Sequence, residues 1–167
     1  EYIVAGTIGY VYLFDKDNST PLWKHDIGVR AYAVDMSSGG EYIVAGSDSD
    51  RVYLFAKNSS TPIWTHNTGG DVRAIAISSD GNYIAAAGQA NKVFLYGRNS
   101  SIPIWSYSVS NHINSMSISA DGEYIVVGTQ HIDMKVYLFS KDSSTPIWTY
   151  TAESSVTDVS ISADGEY

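Results

Sequence analysis

Four prolines and four tryptophans mark a repeat of about forty residues that runs through this 167-residue chain. Each Pro lies two residues before a Trp, at Pro21 and Trp23, Pro62 and Trp64, Pro103 and Trp105, and Pro146 and Trp148. The copies begin at residues 1, 41, 82, 123 and 166, so their spacings are 40, 41, 41 and 43 residues. A fixed period of this length predicts one structural unit per copy. We therefore predict one domain, with copies at 1–40, 41–81, 82–122 and 123–165 and the start of a fifth at 166–167.

Each copy contains four short runs rich in β-branched and aromatic residues. In the second copy they cover residues 42–45, 52–55, 63–66 and 72–77, and turn-forming residues separate them. The last run leads into Ser79-Asp80-Gly81, a turn that recurs as Ala120-Asp121-Gly122 and Ala163-Asp164-Gly165. Asp-Gly between apolar runs favours a hairpin because glycine takes positive φ without steric cost. No segment has a helical apolar period, so we expect almost no helix.

Four-stranded sheets repeated at this period predict an all-β fold, a β-propeller with four four-stranded blades. Side-chain sizes agree with radial sheets, which are crowded near the axis and spread outward. Strands such as 72–76 and 84–87 are rich in small residues and suit the hub, whereas 52–55 and the Trp64 strand are bulky and suit the rim. A β-sandwich and an open solenoid are the alternatives.

Two known repeat families share motifs with this chain. The run from Val156 to Gly165, followed by Glu166-Tyr167, resembles the inner strands of a WD-repeat blade. The run from Val11 to Asp15 with Trp23 is similar to the tryptophan-docking repeat of quinoprotein dehydrogenases, in which an Asp precedes the outer-strand Trp by eight positions. Ala56, Gly97 and Ser140 replace that Asp in the other copies. The resemblance implies a propeller fold, and propellers host many unrelated activities.

The repeat phase leaves one blade divided between the two ends of the chain. Residues 156–161 have the pattern of a first strand and residues 2–5 that of a second strand, so their pairing would close a four-bladed ring and remove open edges. Alternatively, the chain is an arc of a larger propeller of seven or eight blades, or two copies complete an eight-bladed ring. Because residues 166–167 begin another copy, we favour the arc.

Charge and composition exclude several partners. Ten Lys and Arg against eighteen Asp and Glu give a net charge of -8, which opposes the phosphate attraction on which nucleic-acid binding depends. No run of eighteen apolar residues is present, so no membrane insertion is predicted. The absence of Cys excludes disulfides and thiolate metal sites.

The predicted loops differ between the two faces of the propeller. One face carries the Asp-Gly turns and the near-identical loops 15–20, 56–61, 97–102 and 140–145. The other face, which we call the variable face, carries loops 7–10, 47–51, 89–92 and 129–135 and links 26–30, 68–71, 108–112 and 152–155. We expect any partner to bind there. The candidate binding residues are Arg30, Tyr32, Asp48, Asp50, Arg51, Asp71, Arg73, His112, Asn114, His131, Asp133 and Lys135.

No residue pattern predicts catalysis, a metal or a cofactor. His25 and His66 occupy the repeat position of Tyr107 and Tyr150, which indicates strand packing rather than zinc binding. The acidic run 15–19 lacks the glycine and distal glutamate of a calcium loop, and turn chemistry accounts for it. Phosphate-binding, nucleophile-elbow and metalloprotease motifs are all absent.

Three glycosylation sequons lie in equivalent turns, at Asn18, Asn58 and Asn99. They favour a secreted or cell-surface location, where glycans would surround one rim. Turn-forming chemistry is the alternative explanation for these residues.

We therefore expect a non-catalytic scaffold that binds a protein or small ligand through the variable face, with a homodimer or larger assembly that completes the ring as a further partner. A spacer or assembly subunit of a coat or filament is the structural alternative. The resemblance to quinoproteins offers a third, a dehydrogenase, which a quinone absorbance band in native protein would distinguish.

Overall fold

A computed structural model describes residues 1–167 and contains fourteen β-strands and no helix. The strands are β1 (Tyr2–Gly6), β2 (Ile8–Asp15), β3 (Pro21–Met36), β4 (Tyr42–Ser47), β5 (Arg51–Ala56), β6 (Trp64–Asn67), β7 (Val72–Ile77), β8 (Tyr83–Gly88), β9 (Lys92–Gly97), β10 (Trp105–Ser108), β11 (Ile113–Ile118), β12 (Tyr124–Thr129), β13 (Lys135–Ser140) and β14 (Trp148–Thr151). The four strands predicted in the second copy are all present, within two residues at each end. None of the elements is a helix that could span a membrane.

The strands form antiparallel blades in sequence order. Strands β7 to β10 form one four-stranded sheet and β11 to β14 another, while β1 to β6 form a six-stranded sheet. The long β3 belongs to two blades: residues 21–26 pair with β2, and residues 31–36 pair with β4. We number the blades 1 (β1, β2 and the first half of β3), 2 (the second half of β3, with β4 to β6), 3 (β7 to β10) and 4 (β11 to β14).

Two segments near the first copy differ from the predicted loops. Residues 7–10 and 26–30 were expected to be connections, but β2 already begins at Ile8 and pairs with Arg30. The hairpin of the first copy therefore extends further than those of later copies. Gly28 bends the long strand at this point, with φ of +69° and its N–H bonded to Asp26 Oδ1.

The blades form an open arc and do not close into a four-bladed ring. Strand β1 pairs only with β2, and residues 156–161 pair with no strand, so the strand predicted there is wrong. A first strand becomes part of a sheet only when a second strand lies beside it, and in this open arc no second strand lies beside residues 156–161. The segment instead packs on blade 4, where the Ser115 hydroxyl donates to Asp158 Oδ1 at 2.6 Å.

The blades are radial, with small residues at the hub and tryptophans at the rim. Strand β7 contacts the first strands of both neighbouring blades, β3 and β11. Each Trp lies in the outermost strand of its blade, opposite an equivalent leucine of the preceding strand: Leu13, Leu54, Leu95 and Leu138. The predicted propeller arrangement is confirmed.

Indole side chains join each blade to the next. The Nε1 of Trp23, Trp64 and Trp105 donates at 2.7 Å to the backbone carbonyl of Lys57, Arg98 and Lys141, respectively. Each ring also packs on an aromatic side chain of the next blade, at centroid distances of 5.3 to 5.4 Å: Phe55, Tyr96 and Phe139. His25, His66 and Tyr107 pack on the same three rings, as their shared repeat position predicts.

The Asp-Gly turns form a second connection between blades. Backbone N–H groups of Ser38, Ser79 and Ala120 donate to the carbonyls of Ser79, Ala120 and Ala163, at 2.9 to 3.0 Å. Within each turn a serine hydroxyl donates to the aspartate, as Ser119 does to Asp121 at 2.6 Å. This bond and the N–H of Glu123 hold the pKa of Asp121 below its usual value.

One core residue departs from its equivalents in the other copies. Tyr96 is fully buried where the other copies have Phe14, Phe55 and Phe139, and its hydroxyl has no hydrogen-bond partner. Burial alone raises the pKa of this phenol. Because an unpaired hydroxyl in an apolar core costs free energy, this site is less stable than its repeat equivalents.

We expect Tyr96→Phe to raise the free energy of unfolding by about 1 to 2 kcal/mol, because it removes the unpaired hydroxyl and keeps the ring. Urea titration measures the change. Tyr137→Phe is the matched control: that hydroxyl donates to Asp133 Oδ2 at 2.6 Å, so its loss should lower stability. Equal effects of the two substitutions would contradict the interpretation.

Candidate functional site

The loops of the variable face lead into the first residues of β2, β5, β9 and β13. Gly9, Asp50 and Asn91 occupy equivalent places there, and all three have positive φ, at 99°, 63° and 55°. Asp and Asn tolerate this region better than most residues. The longer fourth loop instead places His131 and Met134 at positive φ, 51° and 44°. Every non-glycine residue with positive φ is on this face.

Four candidate residues come together on the variable face between the first strands of blades 2 and 3: Arg30, Tyr32, Asp71 and Arg73. Both guanidinium groups lie over the Tyr32 ring, with Arg73 at 4.7 Å and Arg30 at 5.6 Å from its centroid. Arg73 also pairs with Asp71, at 3.3 Å between Nη2 and Oδ2. We call this group the arginine-tyrosine cluster.

Gln89 completes the cluster, although it was not among the predicted site residues. With the Gln89 amide assigned so that its oxygen faces Arg73, that oxygen accepts from Arg73 Nε at 3.1 Å and Nη2 at 2.6 Å, and the nitrogen donates to Asp71 Oδ2 at 3.2 Å. Arg73 is thus held by a carboxylate, an amide and an aromatic ring. The loops of the variable face differ in length between copies, and this difference indicated the region in the sequence. No residue pattern indicated Gln89 itself.

Arg30 differs from Arg73 because no carboxylate lies within 4.0 Å of its guanidinium. Its backbone N–H donates to Asp48 Oδ1 at 3.0 Å, which fixes the loop, while the side chain contacts the Tyr32 ring and is exposed. The cluster therefore presents one guanidinium whose five donors are available to an acceptor outside the chain.

A second group lies on the fourth copy, around Asp133. This carboxylate is 6% exposed, accepts from the Tyr137 hydroxyl at 2.6 Å and lies 3.4 Å from Lys135 Nζ. Burial and the neighbouring Asp133 raise the pKa of Tyr137. His131 donates its backbone N–H to Ser155 Oγ at 2.9 Å. These bonds shape the longer loop and hold the carboxylate of Asp133 inside it, while the His131 side chain is exposed.

The remaining candidates are separate. Arg51 Nη1 reaches Thr65 Oγ1 at 3.4 Å along its own blade, and Asp50 contributes its carbonyl to Thr68. His112 is exposed, and Asn114 is half-buried in β11. The twelve candidates thus form the arginine-tyrosine cluster, a second group around Asp133 and several isolated positions, and their role in binding stays a prediction.

A half-buried carboxylate, that of Asp35, links two blades near the hub. Asp35 Oδ2 accepts from the N–H of Ile77 at 3.0 Å, and its Oδ1 accepts from the N–H of Met36 at 2.8 Å. Burial raises the pKa of Asp35, and the two N–H groups oppose that rise. Both bonds are internal, so Asp35 has a structural role in joining β3 to β7.

The three sequon asparagines, Asn18, Asn58 and Asn99, are exposed on the face opposite the variable one. Asn18 Oδ1 accepts from the N–H of Thr20 at 2.9 Å, and Ser59 and Ser100 accept equivalent turn bonds. Turn chemistry is thus present in all three loops, and glycosylation stays a prediction.

A family model described as outer membrane protein assembly factor BamB matches residues 48–165, which is more than half of the chain. The chain belongs to the BamB family. The matched region includes blade 3 and blade 4 in full, together with the Trp64, Trp105 and Trp148 strands. No curated protein matches the sequence.

Solved structures match this BamB-family chain over nearly its whole length. A WD40 propeller chain in the crystal structure of a mitotic checkpoint complex superposes with a TM-score of 0.84 over 94% of this chain, at 20% sequence identity. The protein described here spans 49% of the length of that propeller chain, or about half of it. Because 1546 chains of known structure match, the likeness establishes the fold only. The function has to be inferred from the surface residues, since one fold hosts many functions.

Proposed function

We propose that this chain is a non-catalytic scaffold that binds a protein partner through the variable face, with the arginine-tyrosine cluster at the centre of the contact. The unpaired Arg30 guanidinium over Tyr32 is the observation that carries the proposal. Tyr and Arg are enriched among the residues that dominate protein interfaces. The description of the family as an assembly factor also supports a role in protein binding.

The chemistry of the cluster favours a carboxylate-bearing segment of the partner. A guanidinium binds a carboxylate with two parallel hydrogen bonds, and the Tyr32 ring fixes the plane of the Arg30 group. Arg73 is already paired with Asp71, so it contributes to the local positive charge less than Arg30 does. An Asp or Glu beside an aromatic or aliphatic residue would satisfy both parts of the surface.

A random peptide library displayed on phage tests this proposal. We expect the chain to enrich peptides that contain Asp or Glu, and Arg30→Ala to weaken their binding by roughly ten- to a hundredfold, the value of a lost charge-assisted bond. Arg98→Ala is the matched control, since Arg98 lies over Tyr42 at 4.6 Å on the opposite face and should have no effect. Enrichment of peptides that bind both variants equally would exclude the cluster as the binding site.

A further inference from the structure

The loops that lead to the outermost strands share one turn, on the face opposite the variable one. We call the four segments 15–18, 56–59, 97–100 and 140–143 the rim turns. In each, the last N–H donates to the first carbonyl at 3.1 to 3.3 Å: Asn18 to Asp15, Ser59 to Ala56, Ser100 to Gly97 and Ser143 to Ser140. This shared bond aligns the copies residue by residue, so Asn18 is the equivalent of the three serines.

The side chain at the last position of each rim turn makes a second bond. The hydroxyls of Ser59, Ser100 and Ser143 each accept from the N–H two residues later, at 3.0 Å. In the first copy the Asn18 amide oxygen accepts the same bond, from Thr20 at 2.9 Å. Asn18 therefore does what a serine does in the other copies, and its sequon is displaced by one residue from the other two.

Asn58 and Asn99 lie one residue earlier in the turn, and their side chains are not used in it. Both are exposed, and neither amide group forms a hydrogen bond within the chain. The hydroxyls of Ser60 and Ser101, which complete the two sequons, are also unbonded. Because serines hold these turns, the two asparagine amides are free to react.

The surroundings of these two asparagines leave room for a bulky group. They lie on blades 2 and 3, which have a blade on each side, so their exposure is a property of internal blades. An open recess of about 320 Å³ lies beside Asn99, and the exposed side chains of Ile102 and Ile104 line it. A sugar ring on the Asn99 amide would therefore have open space and an aliphatic surface beside it.

We propose that Asn58 and Asn99 carry N-linked oligosaccharides and that Asn18 does not. In this modification the amide Nδ2 bonds to C1 of the first sugar, while the bond from C1 to the phosphate of a lipid-linked oligosaccharide breaks. The departing lipid diphosphate takes up the amide proton. The transferring enzyme recognises Asn-X-Ser or Asn-X-Thr, so it needs a free amide and a free hydroxyl. Positions 58 and 99 offer both, whereas the turn already uses the Asn18 amide.

The proposal is independent of binding at the variable face. The rim turns and the arginine-tyrosine cluster lie at opposite ends of the blades, so sugars at Asn58 and Asn99 leave Arg30 accessible. Arg30→Ala should therefore leave the sugars unchanged, and removal of the sugars should leave peptide binding unchanged. Failure of one proposal is thus distinguishable from failure of the other.

Peptide mass spectrometry of protein purified from its natural source tests the modification. We expect sugar on the peptides that contain Asn58 and Asn99, and we expect its release by a glycosidase that cleaves only asparagine-linked sugars and leaves aspartate behind. The peptide that contains Asn18 should have its unmodified mass. Bare asparagine at both positions 58 and 99 overturns the proposal, as does sugar on Asn18 to the same extent.

Loss variants identify the attachment sites. Secreted from cultured animal cells behind a cleavable leader, the chain should carry two mass increments, and Ser60→Ala and Ser101→Ala should each remove one of them completely. Ser59→Ala is the matched control, because it deletes the turn bond from Thr61 but keeps the sequon of Asn58, so both increments should remain. Two increments in Ser60→Ala, or one in Ser59→Ala, would contradict the assignment.

Gain variants separate the position in the turn from the sequon itself. Asp142→Asn places a sequon, completed by Ser144, at the position equivalent to Asn58. Asp17→Asn combined with Asn18→Ser moves the sequon of the first copy into the same register. Each change should add one increment that the unaltered chain lacks, and circular dichroism establishes that both variants are folded. If neither variant gains sugar, the turn position does not select the site and the proposal is wrong.

Discussion

Trp105→Ala is expected to lower the free energy of unfolding by about 3 to 5 kcal/mol, the usual cost of truncating a large packed aromatic residue. Trp105 packs on Phe139 at 5.4 Å and donates to the Lys141 carbonyl at 2.7 Å, so the substitution removes ring contacts and an inter-blade hydrogen bond together. Because small domains are stable by only about 5 to 15 kcal/mol, this is a large part of the total. Urea titration followed by circular dichroism measures it.

Trp148→Ala is the matched control for this prediction. Trp148 has the same position in its blade but lies at the open end, where it is 47% exposed and has no carbonyl partner. At concentrations where the chain is monomeric we expect a change of about 0.5 kcal/mol or less. Trp105→Phe keeps much of the packing and isolates the hydrogen bond, in case the alanine variant does not fold. Similar losses at positions 105 and 148 would show that junction contacts do not stabilise the blades.

Gly122→Ala should destabilise the chain by about 2 to 4 kcal/mol, the combined cost of a left-handed backbone and an overpacked contact. Gly122 ends an Asp-Gly turn with φ of +76°, and a Cβ there would lie 2.5 Å from Cδ2 of Tyr83 in the preceding blade. The glycine therefore permits both the turn and the close approach of two blades. Thermal and urea unfolding measure the loss.

Gly39→Ala is the control for Gly122→Ala. Gly39 lies in the equivalent turn of the first copy, but its φ is not positive, and a Cβ there would meet only Glu41 Cγ at 3.8 Å. We expect stability to change by about 0.5 kcal/mol or less. A large loss at Gly39, or none at Gly122, would contradict the role assigned to the turn.

The sequence predicted the blades because their contacts are local and repeated. The Asp-Gly turns, the strand patterns and the single position shared by the four tryptophans each recur often enough to define the sheet order. The state of the first and last segments could not be predicted in this way. Whether residues 156–161 form a strand depends on a neighbour, and a pattern within the segment carries no information about that neighbour.

The candidate site was predicted only in part for a similar reason. Loop differences located the variable face and included Arg30, Tyr32 and Arg73, but side-chain contacts between blades decide which candidates meet. Gln89 joins Arg73 from an adjacent loop, whereas Arg51 turns toward Thr65 of its own blade.

Each sequence copy supplies the second, third and fourth strands of one blade and the first strand of the next. The sequence repeat, counted from the Glu-Tyr position, is therefore offset by one strand from the blade that folds. Insertion or deletion of one whole repeat leaves every internal sheet with four strands, because the flanking strands meet new partners of the same pattern. A chain built in this way can change its number of blades without breaking an internal sheet.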